Sequence, residues 1–255
     1  MSYVTDIRHI IAEARCDRGP SSTYLEILAR YGFVVLEPSS GDEQLSLEQI
    51  MAPLGAPAEY QFGATLVQEQ QPETDNSQFR TGAIPMHADG HLNATGVNFV
   101  GLECLEAPYS GGETLIANSD AFFAVAPDDL VETLRGIQIE YWSNVSSFYV
   151  ERPEGNPVVA PIQVDPVTGR DALCVGLDYP EDPHRNFGAA VVGYTRERSR
   201  DLFARLAEIL ARPEVMYAHT WRVGEILVLD NRRLVHGRAA YPIDAPRKLL
   251  RMSVA

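Results

Sequence analysis

The chain has 255 residues, 45% of them apolar and 22% charged, the composition of an ordinary globular protein and not of a disordered or collagen-like one. Thirty-five acidic residues against 21 basic ones leave a net charge of −14, which argues against nucleic acid and anionic membrane as partners. No apolar run approaches the roughly 20 residues of a membrane helix, and Met1 to Glu13 have no basic start followed by an apolar stretch, so no signal peptide is expected.

Lys248 is the only lysine, a bias toward arginine that points to a GC-rich, bacterial coding sequence. Cys16, Cys104 and Cys174 are odd in number and lack CxxC spacing. They predict neither a disulfide frame nor a zinc knuckle, and they fit a reducing cytoplasm.

Ile7, Ile10, Ile11 and Ala14 keep helical spacing behind Thr5. Ser21 and Ser22 offer caps for a second helix carrying Leu25, Leu28 and Tyr31. Gly32 to Pro38 reads as a buried strand. Ser46 can cap a short helix with Ile50, Met51 and Leu54. Residues 56–84 then break the pattern, and the run from Gln68 to Gln78 is polar and aperiodic. A loop this long is expected to be a lid over the site or a surface insertion.

After Pro85 short strands dominate: 96–105, 114–117, 137–142, 158–164 and 173–175. Pro127 opens a helix that ends at Gly136. The best helical pattern is 195–212, stopped by Pro213. Strands at 215–220, 225–229, 234–238 and 249–254 complete the chain. Many short strands without βα alternation predict a mainly β (α+β) single domain over 1–255, a sandwich or jelly roll with flanking helices.

Six histidines are available: His9, His87, His91, His184, His219 and His236. In the run from Pro85 to His91, positions 87, 89 and 91 would share a face on a strand. An imidazole and a carboxylate two residues apart can grip one ion from the same side. The block Leu229 to Arg238 would supply a third ligand from a later strand. Two histidines and a carboxylate leave coordination positions open, as non-haem iron(II) requires. Zinc hydrolases use the same ligand types, and an isolated HxD can also be a hydrogen-bonded surface pair. Arg247 and Arg251, four apart on the last predicted strand, face one way. Buried there, each would need an anion; otherwise they are solvated charges.

These residues resemble a known family. His87-Ala88-Asp89, Gly111-Gly112-Glu113-Thr114, the block from Asp230-Asn231-Arg232 to His236-Gly237-Arg238, and Arg247 look like the iron(II)/2-oxoglutarate-dependent dioxygenases of the clavaminate synthase and taurine dioxygenase group. Within that group the likeness is greatest to carbapenem synthase, through Ile84 to Gly90 and Leu229 to His236. The resemblance runs from the first strand to the C-terminus.

It implies a double-stranded β-helix, the jelly roll, with flanking helices. It further implies iron(II) on His87, Asp89 and His236, and Thr114 with Arg247 on the distal carboxylate of 2-oxoglutarate. Arg251 would receive an anionic substrate, and Tyr60 would stand near the pocket unless it is an ordinary half-buried aromatic. O2 would be the second cosubstrate. The reaction would be hydroxylation, desaturation, cyclisation or epimerisation of a small anionic natural-product or amino-acid-derived substrate, β-lactam intermediates included. Asp89 argues against halogenation, because the related halogenases have a small residue there. His91 would be a pocket residue, since a fourth protein ligand would block the cosubstrate. The alternatives are a zinc-dependent hydrolase on the same three residues and a non-catalytic jelly-roll binding module. Departures fall around 56–84 and in the spacing between His236 and Arg247, where substrate would be recognised.

Overall fold

A computed structural model describes residues 6–38, 43–59, 63–71, 73–93, 96–145 and 154–255. The strands are β1 Arg15–Asp17, β2 Phe33–Glu37, β3 Thr65–Glu69, β4 Ile84–His87, β5 Phe99–Glu106, β6 Thr114–Asn118, β7 Ile139–Ser143, β8 Val158–Val159, β9 Ile162–Val164, β10 Asp171–Leu173, β11 Phe187–Val191, β12 Met216–His219, β13 Ile226–Asp230, β14 Leu234–Arg238 and β15 Lys248–Val254. The α-helices are α1 Tyr24–Tyr31, α2 Leu47–Met51, α3 Ser119–Val125, α4 Asp128–Arg135 and α5 Arg196–Leu210.

Six strands in the order β1-β2-β13-β5-β15-β3 form one sheet, and four in the order β12-β6-β14-β4 form a second. Except for the parallel β1–β2 pair, both are antiparallel. Their inner faces meet in a core that includes Phe33, Val35, Leu102, Leu227, Leu229 and Leu249 from the larger sheet and Ile116 and Leu234 from the smaller. The period of two along each strand sends the alternate residues outward. Val34, Leu36, Ile226 and Val228 therefore pack under α1 and α2, while Ala117 and Val235 pack under α3, α4 and α5. Helices covering both outer faces explain why β2 and β13 read as unbroken apolar runs. This is the expected mainly β jelly-roll architecture with flanking helices.

Several boundaries differ from the sequence reading. The first predicted helix is only a 3-10 turn, Ile7–His9. Its apolar residues Ile7, Ile10 and Ala14 are buried all the same, because the chain then turns into β1 beside β2. The predicted strand 158–164 is split into β8 and β9, which join different sheets. Four strands escape sequence patterning: β1, β3, β4 and β11. β4 contains Pro85, which a sheet tolerates at its edge, and β4 is an edge strand. β11 is Phe-Gly-Ala-Ala-Val, poor in β-branched residues; a side chain at Gly188 would collide with the Trp142 ring. α3 is capped by the Asn118 side chain, which accepts from the Asp120 and Ala121 amides.

Within the predicted lid, 65–69 is not loop but β3, the strand that completes the edge of the larger sheet against β15. Tyr60 lies outside the described residues.

Candidate metal and cosubstrate centre

On the smaller sheet His87 of β4 lies directly opposite His236 of β14, with ring centroids 4.5 Å apart. β4 ends at His87, so the alternation expected for 87, 89 and 91 on one strand does not occur. Asp89 is brought round by a turn instead. Gly90 has φ +89°, and a Cβ there would sit 2.8 Å from the Val97 nitrogen, so only glycine permits this turn. Asn231 then fixes it: its Oδ1 accepts from the Asp89 amide at 2.8 Å, and its Nδ2 donates to the Asp89 and Val97 carbonyls at 3.0 and 2.7 Å.

Asp89 Oδ1 consequently stands 3.6 Å from His87 Nε2, and Oδ2 stands 3.3 Å from His236 Nε2. One ligand atom from each of the three residues lies within 4.8 Å of the others. His87 Nδ1 is 2.8 Å from the Pro85 carbonyl. A carbonyl only accepts, so Nδ1 carries the proton and Nε2 presents its lone pair to the cluster. Burial would raise the Asp89 carboxyl, but Arg251 and then His236 outweigh it and hold it well below the usual carboxylate range. Burial pushes the His236 imidazole down, against the pull of Asp89. An ionised carboxylate beside neutral imidazole is the protonation state a divalent ion needs.

Along the same faces lie the other predicted residues. Thr114 of β6 pairs opposite Arg238 of β14. Trp221 Nε1 donates to Thr114 Oγ1 at 3.2 Å. Indole is only a donor, so the threonine hydroxyl accepts and keeps its own proton for another partner. Arg247, just before β15, is 6% exposed and donates from Nε to the Gly112 carbonyl at 3.0 Å. Gly112 has φ +70°, and a Cβ there would come within 2.9 Å of Arg247 Cδ; this is the physical reason for the Gly-Gly before Thr114. Burial, helped by Arg238, lowers the Arg247 guanidinium to about 10.

Arg251 lies two residues beyond the inward Leu249 and donates to Asp89 Oδ2 at 2.5 Å and to Ser253 Oγ at 3.3 Å. The arginine expected on substrate thus also braces the predicted metal carboxylate. Arg238 belongs to the block that resembles the family, but nothing in the sequence assigns it a role. Its guanidinium donates to the carbonyls of Ser77, Gln78, Arg80 and Gly82, tying 77–82 over the site. Asn231, in the same block, and Trp221 likewise have no role assigned by sequence, because their roles rest on backbone and hydroxyl partners more than 100 residues away in the chain. His219 packs edge-on to Trp221 at 4.5 Å, as expected for a packing histidine. His184 pairs with Asp75 Oδ1 at 3.3 Å.

His87, Asp89, His236, Thr114, Arg238, Arg247 and Arg251 all line one cleft, which encloses about 1150 Å³ counting the solvent at its mouth. Its remaining wall carries His91, Tyr141, Tyr179 and Phe187, with Gln68, Gln78 and Asn186.

A jelly roll with two histidines and a carboxylate converging in its mouth defines a class of mononuclear metal protein. Residues 15–253 match the family described as taurine catabolism dioxygenase TauD, TfdA family, and the chain belongs to that family. It is 29% identical over 203 residues to a tyrosine isonitrile desaturase of Pseudomonas aeruginosa, covering 76% of this chain and 66% of that one. To an alpha-ketoglutarate-dependent 2,4-dichlorophenoxyacetate dioxygenase of a Burkholderia species it is 26% identical, covering 65% and 56%. The chain thus spans less than two thirds of these curated relatives. The crystal structure of PvcB from Pseudomonas aeruginosa superposes with a TM-score of 0.71 at 25% identity, covering 93% of this chain and 81% of that one. A second structure of PvcB, an Fe, alpha-ketoglutarate dependent oxygenase from an isonitrile synthetic pathway, gives a TM-score of 0.68 at 24% identity, covering 90% and 78%. Among the described residues no helix is long and apolar enough to cross a membrane.

Proposed function

We propose that this protein is an iron(II)- and 2-oxoglutarate-dependent oxygenase of a small anionic molecule. In this reading His87, Asp89 and His236 hold the ion, and Arg247 with Thr114 binds the distal carboxylate of 2-oxoglutarate. The observation that carries it is the pairing, in one cleft, of a two-histidine, one-carboxylate cluster with a deeply buried arginine. Bound iron would supply the redox chemistry that couples 2-oxoglutarate decarboxylation to oxidation of the substrate. The protein's part is positional. His87 is held in the ligating tautomer by Pro85. Asp89 is held by Asn231 and Arg251. Thr114 is turned donor-outward by Trp221. Arg247 offers a planar fork that suits a carboxylate. A hydrolase using the same three ligands would need that arginine only for a substrate that is itself a carboxylate, and would need no 2-oxoglutarate.

The anionic character of the substrate is supported by charge. Three guanidiniums and one carboxylate line the cleft among the described residues. A divalent ion and a dianionic cosubstrate would cancel, leaving the wall positive. Arg251 is the guanidinium we place on the substrate anion, with its other contact on Asp89. Two relatives are named for tyrosine isonitrile and 2,4-dichlorophenoxyacetate. They favour an amino-acid-derived or aromatic acid over the β-lactam intermediate expected from the carbapenem synthase likeness. The tyrosine isonitrile desaturase and a pentalenolactone F synthase among the relatives support a role in secondary metabolism.

The test is stoichiometric. Purified protein should convert 2-oxoglutarate to succinate and carbon dioxide only with iron(II) and dioxygen, faster when substrate is added. Zinc-dependent hydrolysis without 2-oxoglutarate would favour the hydrolase. Failure to bind metal or 2-oxoglutarate at all would leave the binding module.

A further inference from the structure

Two side-chain amides meet on the cleft wall. Gln68 of β3 donates from Nε2 to Oε1 of Gln78 at 3.3 Å, and both residues line the cleft. One such bond between two amides leaves a carbonyl oxygen on one and an NH2 group on the other. Turning both amides over exchanges the owners and leaves the same couple. Among the described residues, neither Gln68 Oε1 nor Gln78 Nε2 makes a further hydrogen bond. Both residues are only half-buried, so a molecule in the cleft can reach the couple.

The larger sheet sets this couple beside Arg251. On β15, Leu249 lies opposite Gln68 and Arg251 lies opposite Leu66. Residues two apart on a strand share a face, so Gln68 stands on the inner face with Leu249 and Arg251. Val67 between them points outward and is 41% exposed. Gln68 and Arg251 are thus diagonal neighbours, with roughly 7–8 Å between their backbones. Gln78 is held from behind. Arg238 donates to its carbonyl at 2.9 Å and to that of Ser77 at 3.0 Å. The Ser77 amide donates to Asn186 Oδ1 at 2.9 Å, and the Ser77 hydroxyl lies 3.1 Å from Tyr179 Oη. An amide carried on so fixed a backbone loses little freedom when a ligand binds.

A donor beside an acceptor matches a group that carries both, as a primary carboxamide does. A ketone of the same shape supplies no N–H and leaves the acceptor unpaired. A second carboxylate offers acceptors only and sets oxygen against oxygen.

We propose that Gln68 and Gln78 are specificity-determining residues that read a carboxamide on the substrate, whose carboxylate lies on Arg251. This deepens the oxygenase reading and rests on it. The contact is one of binding, and no proton is transferred.

The experiment uses full-length protein loaded with Mn(II) and N-oxalylglycine as inert stand-ins for iron(II) and 2-oxoglutarate. Calorimetry measures binding of acids matched in shape and charge, with and without the amide N–H: 4-carbamoylphenylacetate against 4-acetylphenylacetate, and adipamate against 6-oxoheptanoate. Wild type should prefer the carboxamide in at least one pair, about 5- to 10-fold for one net hydrogen bond. The double variant Gln68→Met, Gln78→Met keeps side-chain length and removes both amides. It should abolish the preference while N-oxalylglycine affinity and melting temperature stay at wild-type values. Each single variant should lose part of the preference, and serves if the double variant fails to fold. Absence of a preference in wild type, weak or no binding of every acid included, overturns the assignment and leaves the oxygenase reading intact. So does a preference that survives loss of the amides. Absence of Mn(II)-dependent N-oxalylglycine binding to wild type overturns both.

Discussion

Asn231 holds Asp89 by the main chain and not by its carboxylate: one amide side chain bonds both the N–H and the C=O of Asp89. The aspartate's oxygens stay free for His87, His236 and Arg251, while its Cα is clamped. Asn231→Asp removes the Nδ2 donor and sets a carboxylate against two carbonyls. It should cost about 1–3 kcal/mol of stability and weaken Mn(II) binding roughly 10- to 100-fold. Calorimetry and thermal melts read the two effects; unchanged metal affinity would show that the turn holds without the clamp.

His236→Ala and Asp89→Ala should both abolish metal binding yet differ in stability. The first removes a neutral ring. The second takes the buried carboxylate away from Arg251, itself 4% exposed, and an uncompensated buried charge costs about 3–5 kcal/mol. Asp89→Ala should therefore melt clearly lower than His236→Ala. Equal melting temperatures would mean that Arg251 finds its counter-charge elsewhere.

Two variants probe the proposed cosubstrate end. Arg247→Ala loses a charge-assisted bond, about 1.5–3 kcal/mol, and should weaken 2-oxoglutarate roughly 10- to 150-fold. Trp221→Phe keeps a ring beside His219 but frees the Thr114 hydroxyl to rotate. The expected loss is smaller, about 2- to 10-fold, with substrate KM unmoved. If Trp221→Phe changes substrate KM and spares 2-oxoglutarate, the orienting role is wrong.

Arg251→Ala should raise the KM for an anionic substrate while uncoupled decarboxylation of 2-oxoglutarate persists. If coupled and uncoupled turnover fall together with metal affinity, Arg251 serves Asp89 alone.

Behind Thr114 the buried Glu225 accepts from the Arg222 amide at 2.9 Å and lies 3.4 Å from His219 Nε2 and 3.2 Å from Arg15. Burial would raise its carboxyl, but His219, the Arg222 amide and Arg15 together lower it from 4.5 to about 2. A depressed carboxylate stabilises the fold at pH values above its unfolded pKa. That contribution should fade as pH drops from about 4.5 toward 2. Glu225→Gln should flatten this part of the stability–pH curve, measured by chemical denaturation between pH 5 and pH 2.

Periodicity and punctuation were enough for much of this molecule. The apolar runs of β2 and β13 and the amphipathic pattern of α5 each name their element, because burial leaves its pattern in the residues. The order of HxD, Gly-Gly-Glu-Thr and the Asp-Asn-Arg to His-Gly-Arg block points to the family from the sequence alone. Local order could not say how the residues meet. His87 and Asp89 converge through a turn at Gly90 clamped from residue 231, not through strand alternation. Arg251 meets Asp89 across 162 positions, and Arg238 straps 77–82 across about as many. β4 and β11 carry too little β-propensity to be seen alone and are strands because their neighbours offer backbone partners. Such contacts leave no period in the chain, since each depends on the register between strands, and register is decided only when both sheets have packed.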